Sequence, residues 1–341
     1  MVKAGVVGAS GYLGAELLRL LAGHPSLEVA VAQADSSAGE ALSSLYPGLG
    51  AAYGDLELSA LDPAMLEGCD VVFVAVPSGR SQHLVPALLG RTGHVVDLGA
   101  DFRLRDAAAY PQWYGFEHAC PELLAEAAYG LPELFRDEIA GARLIAAPGC
   151  YVTAASLALA PLAAAGVVEP GSIVVDAASG SSGAGRSPGP VTQHGALNES
   201  FDAYGLLTHR HTPEMEQVIG APVLFTPHHA PMTRGILASC YAKLSDTSPV
   251  TTSAQLLELL RDTYQGERFV RVVDEPPATR HTVGTNNVHL TARVDERTGH
   301  AMVFSALDNL TKGGAGQALQ AANVALELPE TAGLPTVALI P

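Results

Sequence analysis

The order of apolar segments predicts an α/β protein of two domains: an N-terminal domain with a parallel sheet and a second, α+β domain with a mixed, largely antiparallel sheet. Over residues 1–148, short runs of small and β-branched residues alternate with helical segments, as in parallel sheets covered by crossover helices. Over residues 149–316, strand-like segments alternate apolar and polar residues, which is typical of antiparallel strands with one covered face. We expect the last segment, residues 317–341 with a helix over 317–327, to pack back on the first domain.

Composition narrows the function classes before any motif is considered. With 341 residues, 48% of them hydrophobic, the chain is globular and long enough for two cores. A net charge of −16 argues against a nucleic-acid-binding protein, which would present a basic face. There is no signal peptide and no apolar run of about 18 residues, so we expect a cytoplasmic chain that does not span a membrane. The four cysteines are widely spaced, which predicts a reducing compartment and no metal site.

The first strand, residues 2–7, leads into a glycine-rich turn that opens a helix over residues 15–21. The turn has the spacing GxxGxxG, a variant of the dinucleotide fingerprint. Its glycines let the backbone approach a pyrophosphate, and the helix N-terminus attracts the negative charge. We therefore predict a Rossmann-type domain whose cofactor contacts include Gly8, Ser10, Gly11, Tyr12, Leu13 and Gly14.

Asp35 raises the question of which dinucleotide binds. It follows a second strand over residues 27–32 and lies 21 positions after the last glycine of the turn, where an acid can hydrogen-bond a ribose hydroxyl. No basic residue between Arg19 and Arg80 marks a 2′-phosphate site. The residues alone lean towards NAD, or leave the backbone and two serines to bind the phosphate, namely Ser36 and Ser37.

Later strands of the first domain also end in polar residues, where parallel sheets collect ligands. A strand over residues 71–76 ends in Pro77 and Ser78, which we predict as cofactor contacts. A helix over residues 81–89 and a strand over 95–99 follow, and Arg103 comes next as a candidate ligand-binding residue. Residues 106–148 are predicted to form loops and short helices, and residues 144–146 lead into the turn before Cys150.

Cys150 is the candidate nucleophile. Pro148 and Gly149 predict a tight turn before it, and the alanine- and leucine-rich residues 153–159 predict a helix after it. Unpaired N–H groups and the positive end of the helix dipole favour a thiolate there, which is the reactive form of cysteine. The alternative is a small buried hydrophobic residue, and the local pattern does not separate the two.

Two segments of the second domain carry further candidates. A strand over residues 172–177 runs into Ser179–Arg186, a glycine- and serine-rich run whose N–H groups and guanidinium suit phosphate or carboxylate. His209 and His211 then precede Thr212, which we predict to cap a helix with Pro213 as its first residue. Either histidine can serve as a general acid–base.

The remaining segments complete the second domain. A helix is predicted over residues 253–263, and a turn over 309–317 leads into the last helix. Further strands are predicted over residues 223–225, 236–242, 269–273, 287–292 and 301–306.

With these segments identified, the chain resembles the N-acetyl-gamma-glutamyl-phosphate reductase family of arginine biosynthesis over nearly its whole length. The motifs that carry the resemblance occur in one order, and their combination is highly specific. They are GASGYLGAELLRLL at 8–21, DLGADFRL at 97–104, YGLPEL at 129–134, PGCYVTAASLALAPL at 148–162, SGSSGAGR at 179–186, HRHTPEMEQ at 209–217, FTPHHAPMTRGI at 225–236 and NLTKGGAGQALQ at 309–320.

The resemblance implies NADPH-dependent reduction of a small-molecule acyl phosphate to an aldehyde, with release of phosphate. Cys150 would attack the acyl carbon to leave a thioester, and hydride transfer would give a thiohemiacetal that collapses to the semialdehyde. His211 is the first choice for the proton shuttle and His209 the second. The resemblance also implies NADP(H) as cofactor, a homo-oligomer (dimer or tetramer), and two sets of contacts. Those to substrate are Arg103, Ser179, Gly180, Arg186 and Glu214, and further ones to cofactor are Ser179, Gly180, Asn309 and Gly313.

Two departures and several alternatives accompany this interpretation. Val152 stands where the family usually has proline, and Ala147 where it often has asparagine; both flank the nucleophile without replacing it. The related alternative is the aminoadipyl-phosphate reductase of lysine biosynthesis, while aspartate-semialdehyde dehydrogenase is disfavoured by the PGCYVT and HRHTPE segments. A catalytically silent dinucleotide-binding regulator is the alternative from a different class.

Overall fold

A computed structural model describes residues 1–187, 189 and 194–340 of the protein. Within them the strands are β1 (Val2–Val7), β2 (Leu27–Gln33), β3 (Val71–Val74), β4 (His94–Asp97), β5 (Ala128–Tyr129), β6 (Leu144–Ala146), β7 (Ile173–Ser179), β8 (Asp202–Ala203), β9 (Val223–His229), β10 (Ile236–Lys243), β11 (Val270–Val272), β12 (Val288–Asp295) and β13 (His300–Leu307).

The α-helices of the same ranges are α1 (Tyr12–Leu21), α2 (Leu42–Leu45), α3 (Gly50–Tyr53), α4 (Ser81–Leu89), α5 (Ala109–Tyr114), α6 (Pro132–Ile139), α7 (Cys150–Ala164), α8 (His194–Leu197), α9 (Thr212–Ile219), α10 (Ser253–Thr263) and α11 (Gly316–Ala325). Short 3₁₀ turns lie at Pro47–Leu49, Pro63–Leu66, Pro121–Ala125, Pro170–Ser172, Ser181–Ala184 and Thr279–His281, and a π turn at Thr311–Ala315. None of the described helices has both the length and the apolar character needed to cross a bilayer.

The chain divides into two compact units, and the division falls between Pro148 and Gly149. The first unit joins residues 1–148 to Gly314–Leu334. The second joins Gly149–Gly313 to the segment that starts at Pro335.

The first unit is built on a parallel six-stranded sheet in the order β2-β1-β3-β4-β6-β5. Its central strands are apolar throughout: all four residues of β3 are fully buried, as are Val95 and Val96 of β4. Such continuous burial means that both faces are covered, as the sequence predicts for a parallel sheet. Since the strands are parallel, the turns after β1, β2 and β3 all lie at one edge, which is where such sheets bind ligands.

Helix α11 belongs to the first unit, where it packs against α6 and β4. Gln317 donates from Nε2 to the Gly130 carbonyl at 2.8 Å, and Arg136 forms an ion pair with Glu330 at 3.1 Å.

The expectation that all of residues 317–341 pack on the first domain is wrong for the segment from Pro335. The Asn286 N–H donates to the Pro335 carbonyl at 2.8 Å, and Asn287 Nδ2 donates to the Thr336 carbonyl at 2.7 Å. These bonds hold the segment against the second unit. Pro341 itself lies outside the described residues.

The second unit contains a seven-stranded mixed sheet in the order β11-β12-β13-β10-β7-β9-β8. Four of its six described pairings are antiparallel, and β11/β12 and β7/β9 are parallel. Burial alternates residue by residue along β7 and β10, as expected when one face is covered. Helix α7 packs on β10 and β13 and supplies that cover.

The other face of this sheet, here called the outer face, carries half-buried apolar side chains in its central strands. Tyr241 of β10 and Phe304 of β13 meet edge to face with their ring centroids 6.3 Å apart. Leu237 lies on the same face, four residues before Tyr241, and Met302 is the cross-strand partner of Tyr241. These four side chains make an apolar patch on the part of the outer face that β10 and β13 form.

Candidate active site

Cys150 is the first residue of α7, and the turn before it is extended rather than helical. Gly149 occupies the N-cap with φ −68° and ψ 147°, and no side chain of the described residues caps this helix. The residues from Tyr151 to Leu159 are buried, so the packing of this apolar helix fixes the position of Cys150 at its amino end. Cys150 therefore lies at the amino end of α7, whose first N–H groups lack partners within the helix. These groups and the helix dipole stabilise negative charge, either on a thiolate or on an oxyanion beside it.

Exposure distinguishes Cys150 from the other three cysteines, all of which lie in described parts of the chain. Cys150 is half-buried, whereas Cys69, Cys120 and Cys240 are buried. Burial raises the pKa of the Cys120 thiol to about 11 and that of Cys240 to about 12, and it also raises the pKa of Cys69. The three buried thiols are therefore inert at neutral pH, and Cys150 is the cysteine that a substrate can reach.

His211 lies directly against the nucleophile turn. A methyl group added at Gly149 would lie 2.4 Å from His211 Nε2, so the imidazole contacts the backbone immediately before Cys150. The ring is nearly buried and meets Tyr151 edge to face, with centroids 5.9 Å apart. This placement favours His211 over His209 as the general acid–base.

His209 is set back from the turn. Its imidazole meets Tyr204 and Phe225 edge to face at 5.5 and 5.2 Å, and its Nδ1 accepts the His211 N–H at 3.1 Å. Burial, with a smaller contribution from Arg210, lowers the pKa of His209 to about 4. His209 is therefore neutral at neutral pH and orients the backbone of its neighbour.

The cap predicted at Thr212 is wrong by one residue. Helix α9 begins at Thr212 itself, with His211 at the N-cap and no capping side chain among the described residues. The reason is that the backbone has already turned: the Thr212 N–H donates to the His209 carbonyl at 3.0 Å, and His211 has helical φ and ψ.

Glu214, in the first turn of α9, reaches back to the nucleophile turn. Its Oε1 accepts the Gly149 N–H at 2.9 Å, and the side chain is fully buried. The carboxylate thus fixes the peptide that precedes Cys150. Sequence resemblance implied a substrate contact for Glu214; the geometry gives it a positioning contact.

Sequence analysis did not identify Tyr151 and Tyr204 as residues of the candidate site. Tyr151 donates to the His228 carbonyl at 3.2 Å, and Tyr204 donates to the Tyr151 hydroxyl at 3.1 Å. Tyr204 in turn stacks on His229 with ring centroids 3.8 Å apart. The only signal for Tyr151 was its position beside Cys150, and Tyr204 had none.

The predicted phosphate run leaves β7 at Ser179. Gly180 contacts the Thr233–Arg234 backbone so closely that an added methyl group would lie 2.6 Å from the Thr233 carbonyl oxygen. Ser179 is buried, and its hydroxyl donates to the Gly180 carbonyl at 3.2 Å. Arg186, at the other end of the run, is exposed. The structure thus separates a buried start of the run from an exposed arginine.

Asn309 links three turns of the second unit. Its Oδ1 accepts the Gly235 N–H at 2.7 Å, and its Nδ2 donates to the Ser182 hydroxyl at 2.9 Å. Four residues on, Gly313 packs against Cys150, since a methyl group there would lie 2.8 Å from Cys150 Cβ. Both were predicted as cofactor contacts; the structure brings Gly313 to Cys150 and gives Asn309 a bridging position.

In the first unit, Arg103 binds backbone. Its Nε donates to the Ala147 carbonyl at 2.8 Å and its Nη2 to the Leu98 carbonyl at 3.0 Å, and the side chain is buried. The Ala147 N–H donates to the Asp97 carbonyl at 2.8 Å. Because these bonds use the main chain of Ala147, alanine holds this position as well as asparagine would.

Asp97, the last residue of β4, and Asp101 form a buried acidic pair within the DLGADFRL motif. Asp97 accepts from the Ser81 hydroxyl at 3.0 Å and from the Gly99 N–H at 2.9 Å, while Asp101 accepts the Gly79 N–H at 2.7 Å. Burial, with the Asp101 charge as the next cause, raises the pKa of Asp97 to about 7.

The glycine-rich turn after β1 fits a dinucleotide. Gly8 has φ +85°, and a methyl group there would lie 2.1 Å from the Ala75 carbonyl oxygen; one at Gly14 would lie 2.3 Å from the Gly8 carbonyl oxygen. Gly11 is the N-cap of α1 and carries no side chain over the helix N-terminus. The turn is therefore compact at its base and open at its tip, as close approach of a pyrophosphate requires.

The other predicted cofactor contacts lie around this turn. Tyr12 is exposed and Ser10 and Leu13 are half-buried, while the Ser10 carbonyl accepts from the Tyr46 hydroxyl at 2.8 Å. Among the contacts predicted after β2 and β3, the exposed ones are Ser36 and Pro77, the half-buried one is Ser78 and the buried one is Ser37.

Comparison with known proteins agrees with both units. The family model described as "Semialdehyde dehydrogenase, NAD binding domain" matches residues 3–142, and "Semialdehyde dehydrogenase, dimerisation domain" matches residues 150–309. An N-acetyl-gamma-glutamyl-phosphate reductase of Symbiobacterium thermophilum is 50% identical over 98% of this chain and 97% of its own. One of Alkalilimnicola ehrlichii is 47% identical over the full length of both.

Solved structures show the same fold at low identity. Aspartate semialdehyde dehydrogenase II of Vibrio cholerae superposes with a TM-score of 0.70 at 16% identity, over 96% of this chain and 98% of that one. The enzyme of Candida albicans, solved with NADP, gives a TM-score of 0.69 at 17% identity, over 95% and 98%.

Proposed function

Since this chain belongs to the N-acetyl-gamma-glutamyl-phosphate reductase family of oxidoreductases, we propose that it reduces N-acetyl-gamma-glutamyl phosphate to N-acetylglutamate semialdehyde with NADPH, releasing phosphate, in arginine biosynthesis. The observation that carries the proposal is the half-buried Cys150 at the start of α7, with the His211 imidazole against Gly149.

In the first step the Cys150 sulfur attacks the acyl carbon. A carbon–sulfur bond forms, the bond from carbon to the phosphate oxygen breaks, and phosphate leaves with that electron pair. His211 takes the thiol proton, for which its place beside the turn suits it. The N–H groups at the start of α7 favour both the thiolate and the negative charge that develops on the acyl oxygen.

The product of that step is a thioester on Cys150. A bound NADPH would supply the hydride that reduces it. The resulting thiohemiacetal then collapses: the carbon–sulfur bond breaks, the aldehyde leaves, and Cys150 departs as thiolate. His211 holds the proton that the sulfur or the oxygen needs at this stage, while Glu214 keeps the Gly149 peptide in position.

Four further properties belong to the same proposal, namely the cofactor, the compartment, the oligomeric state and the lack of a nucleic-acid partner. The cofactor we propose is NADP(H). The glycine-rich turn Gly8–Gly14 and the turns after β2 and β3 would hold it. A reactive thiolate requires a reducing compartment, so we propose a cytoplasmic enzyme. The dimerisation domain supports a homo-oligomer, and the apolar outer face is the surface we propose for it. The net charge of −16 gives no reason to expect a nucleic-acid partner.

The reaction is best tested in reverse, because the semialdehyde is easier to handle than the acyl phosphate. Purified protein is mixed with N-acetylglutamate semialdehyde, NADP and phosphate, and reduced nicotinamide is followed by absorbance. We expect phosphate-dependent reduction that is lost in Cys150→Ala and retained in Cys240→Ala, a matched variant at a buried thiol.

Other results would redirect the proposal. Turnover only of an aminoadipate-type semialdehyde would move the enzyme to lysine biosynthesis. Turnover only with NAD would overturn the cofactor. Dinucleotide binding without turnover of any semialdehyde would favour the catalytically silent regulator.

A further inference from the structure

An ion pair joins the turns after two strands of the parallel six-stranded sheet in the first unit. Arg80 Nη1 contacts Asp35 Oδ2 at 2.7 Å. Asp35 is in the turn after β2, and Arg80 is in the turn after β3, immediately before α4. In the sheet order these two strands flank β1, about 10 Å apart at ordinary strand spacing. The Arg80 side chain therefore bridges the two turns that lie on either side of the glycine-rich turn after β1.

This location matters more than the pairing. Both side chains are half or more exposed, at 51% and 65%, and exposed ion pairs stabilise a fold very little. In a parallel sheet of this kind, the residue after β2 is the one that meets the adenosine ribose of a dinucleotide. A carboxylate there binds the 2′-hydroxyl of NAD and repels the 2′-phosphate of NADP. Asp35 alone would thus select against NADP.

Arg80 changes that balance. Its positive charge offsets the Asp35 carboxylate, and within the described chain its guanidinium makes this one side-chain hydrogen bond. A guanidinium has five N–H donors in a planar fork that matches phosphate. The hydroxyl of Ser36, exposed beside Asp35, offers one more donor.

We propose that Arg80 is the residue that recognises the 2′-phosphate of NADP(H), and that Asp35 orients its guanidinium for this contact. The inference rests on the proposed function, since it concerns the cofactor of that reaction. It also accounts for the lack of any lysine or arginine from residue 20 to residue 79: the positive charge comes from the turn after β3 instead.

The test measures binding of fragments that differ by the 2′-phosphate. Adenosine 2′,5′-bisphosphate and adenosine 5′-monophosphate are titrated into the full-length protein by calorimetry. Arg80→Met keeps an unbranched apolar side chain close in length to the aliphatic part of arginine and removes the charge. We expect it to weaken binding of the bisphosphate by about tenfold or more, the worth of one or two charge-assisted hydrogen bonds, and to change binding of the monophosphate less than about twofold.

Two variants sharpen the result. Arg91→Met is the matched control, because Arg91 is also an exposed arginine of the first unit, paired with Glu67 at 3.1 Å; it should leave both affinities unchanged. Asp35→Asn removes the negative charge but keeps a side-chain oxygen that can accept from the Arg80 guanidinium and so orient it; it should therefore tighten binding of the bisphosphate. In the enzymatic assay, Arg80→Met should lower kcat/KM for NADPH and leave that for NADH nearly unchanged.

Several outcomes overturn the inference. If Arg80→Met retains the full preference for the bisphosphate while the wild type reduces the acyl phosphate with NADPH, the inference fails and the proposed function stands. If the wild type prefers the monophosphate and NAD, Asp35 is a ribose ligand and Arg80 is only its surface partner. If the wild type binds neither fragment and shows no dinucleotide-dependent turnover, the inference and the proposed function fail together.

Discussion

At the residue scale, the nucleophile turn depends on one position without a side chain. Gly149 has φ −68°, which any residue can adopt, so backbone strain does not explain the glycine. Space explains it: the ring of His211 occupies the volume that a Cβ would need, with Nε2, Cε1 and Cδ2 all within 2.8 Å of that point. The glycine thus permits the contact between His211, the proposed acid–base, and the turn before Cys150.

Gly149→Ala should therefore reduce turnover, and overpacking of the buried ring should lower the free energy of unfolding by about 1–3 kcal/mol. The added methyl group must push the imidazole away, and a displacement of about 1 Å can cost a hundredfold in rate. We expect kcat to fall by about that factor while KM changes little, measured in the reverse assay. Gly171→Ala is the control, because nothing lies within 4 Å of its Cβ position. Unchanged kcat in Gly149→Ala would contradict the placement of His211.

At the element scale, helix and strand ends are joined by buried polar side chains. Asp97 ends β4 and accepts from Ser81, the first residue of α4. Glu214 in α9 holds the N–H at the start of α7, and Asn309 after β13 holds the turns after β7 and before β10. Each bond connects the carboxyl end of a strand or the amino end of a helix, where backbone groups lack partners within the element.

Asp97 makes stability depend on pH in a predictable direction. Its pKa is about 7 in the folded protein against 3.8 for an ordinary aspartate. Between these values the folded state holds a proton that the unfolded state has lost, so the contribution of Asp97 to stability falls as the pH rises from about 4 to 7 and is constant above.

In Asp97→Asn this dependence should disappear. The wild type loses the contribution of Asp97 between pH 4 and pH 7, whereas the variant has no such contribution to lose. The difference in free energy of unfolding, variant minus wild type, should therefore increase by roughly 3 kcal/mol over that range. Urea unfolding across that range measures it, with Asp55→Asn, an exposed aspartate, as control. Parallel pH profiles for Asp97→Asn and the wild type would show that Asp97 is ionised throughout.

Sequence reasoning reached the elements more easily than the contacts between them. The strand–turn–helix around Gly8–Gly14 and the helix after Cys150 follow from local spacing and propensity, and the structure has both. The link from Glu214 to Gly149 joins residues 65 positions apart, and Arg80 meets Asp35 across 45. No local pattern encodes such pairs, because they depend on how separate elements pack. The same limit applies to His209 and His211, which sequence spacing does not separate.

At the scale of the whole molecule, the outer face of the second unit predicts association. A sheet face that leaves Leu237, Tyr241, Met302 and Phe304 partly exposed to water is unfavourable. The family model that matches this part of the chain is described as a dimerisation domain, so we expect a second copy to cover this face.

Phe304→Glu should therefore shift the protein to a smaller oligomer, because a buried carboxylate at a self-associating face costs several kcal/mol. Light scattering after size-exclusion chromatography measures the mass. Val337→Glu is the control, since Val337 is 80% exposed and lies outside the sheet. An unchanged mass for Phe304→Glu would place the interface elsewhere.

The burial of three of the four cysteines has a practical consequence. A thiol reagent added to the native protein should report one fast equivalent per chain, from Cys150, and release the other three only on denaturation. The size of that burst counts competent catalytic centres, so specific activity can be normalised to them rather than to total protein. Protection of the burst by a substrate analogue would then give its dissociation constant without any turnover.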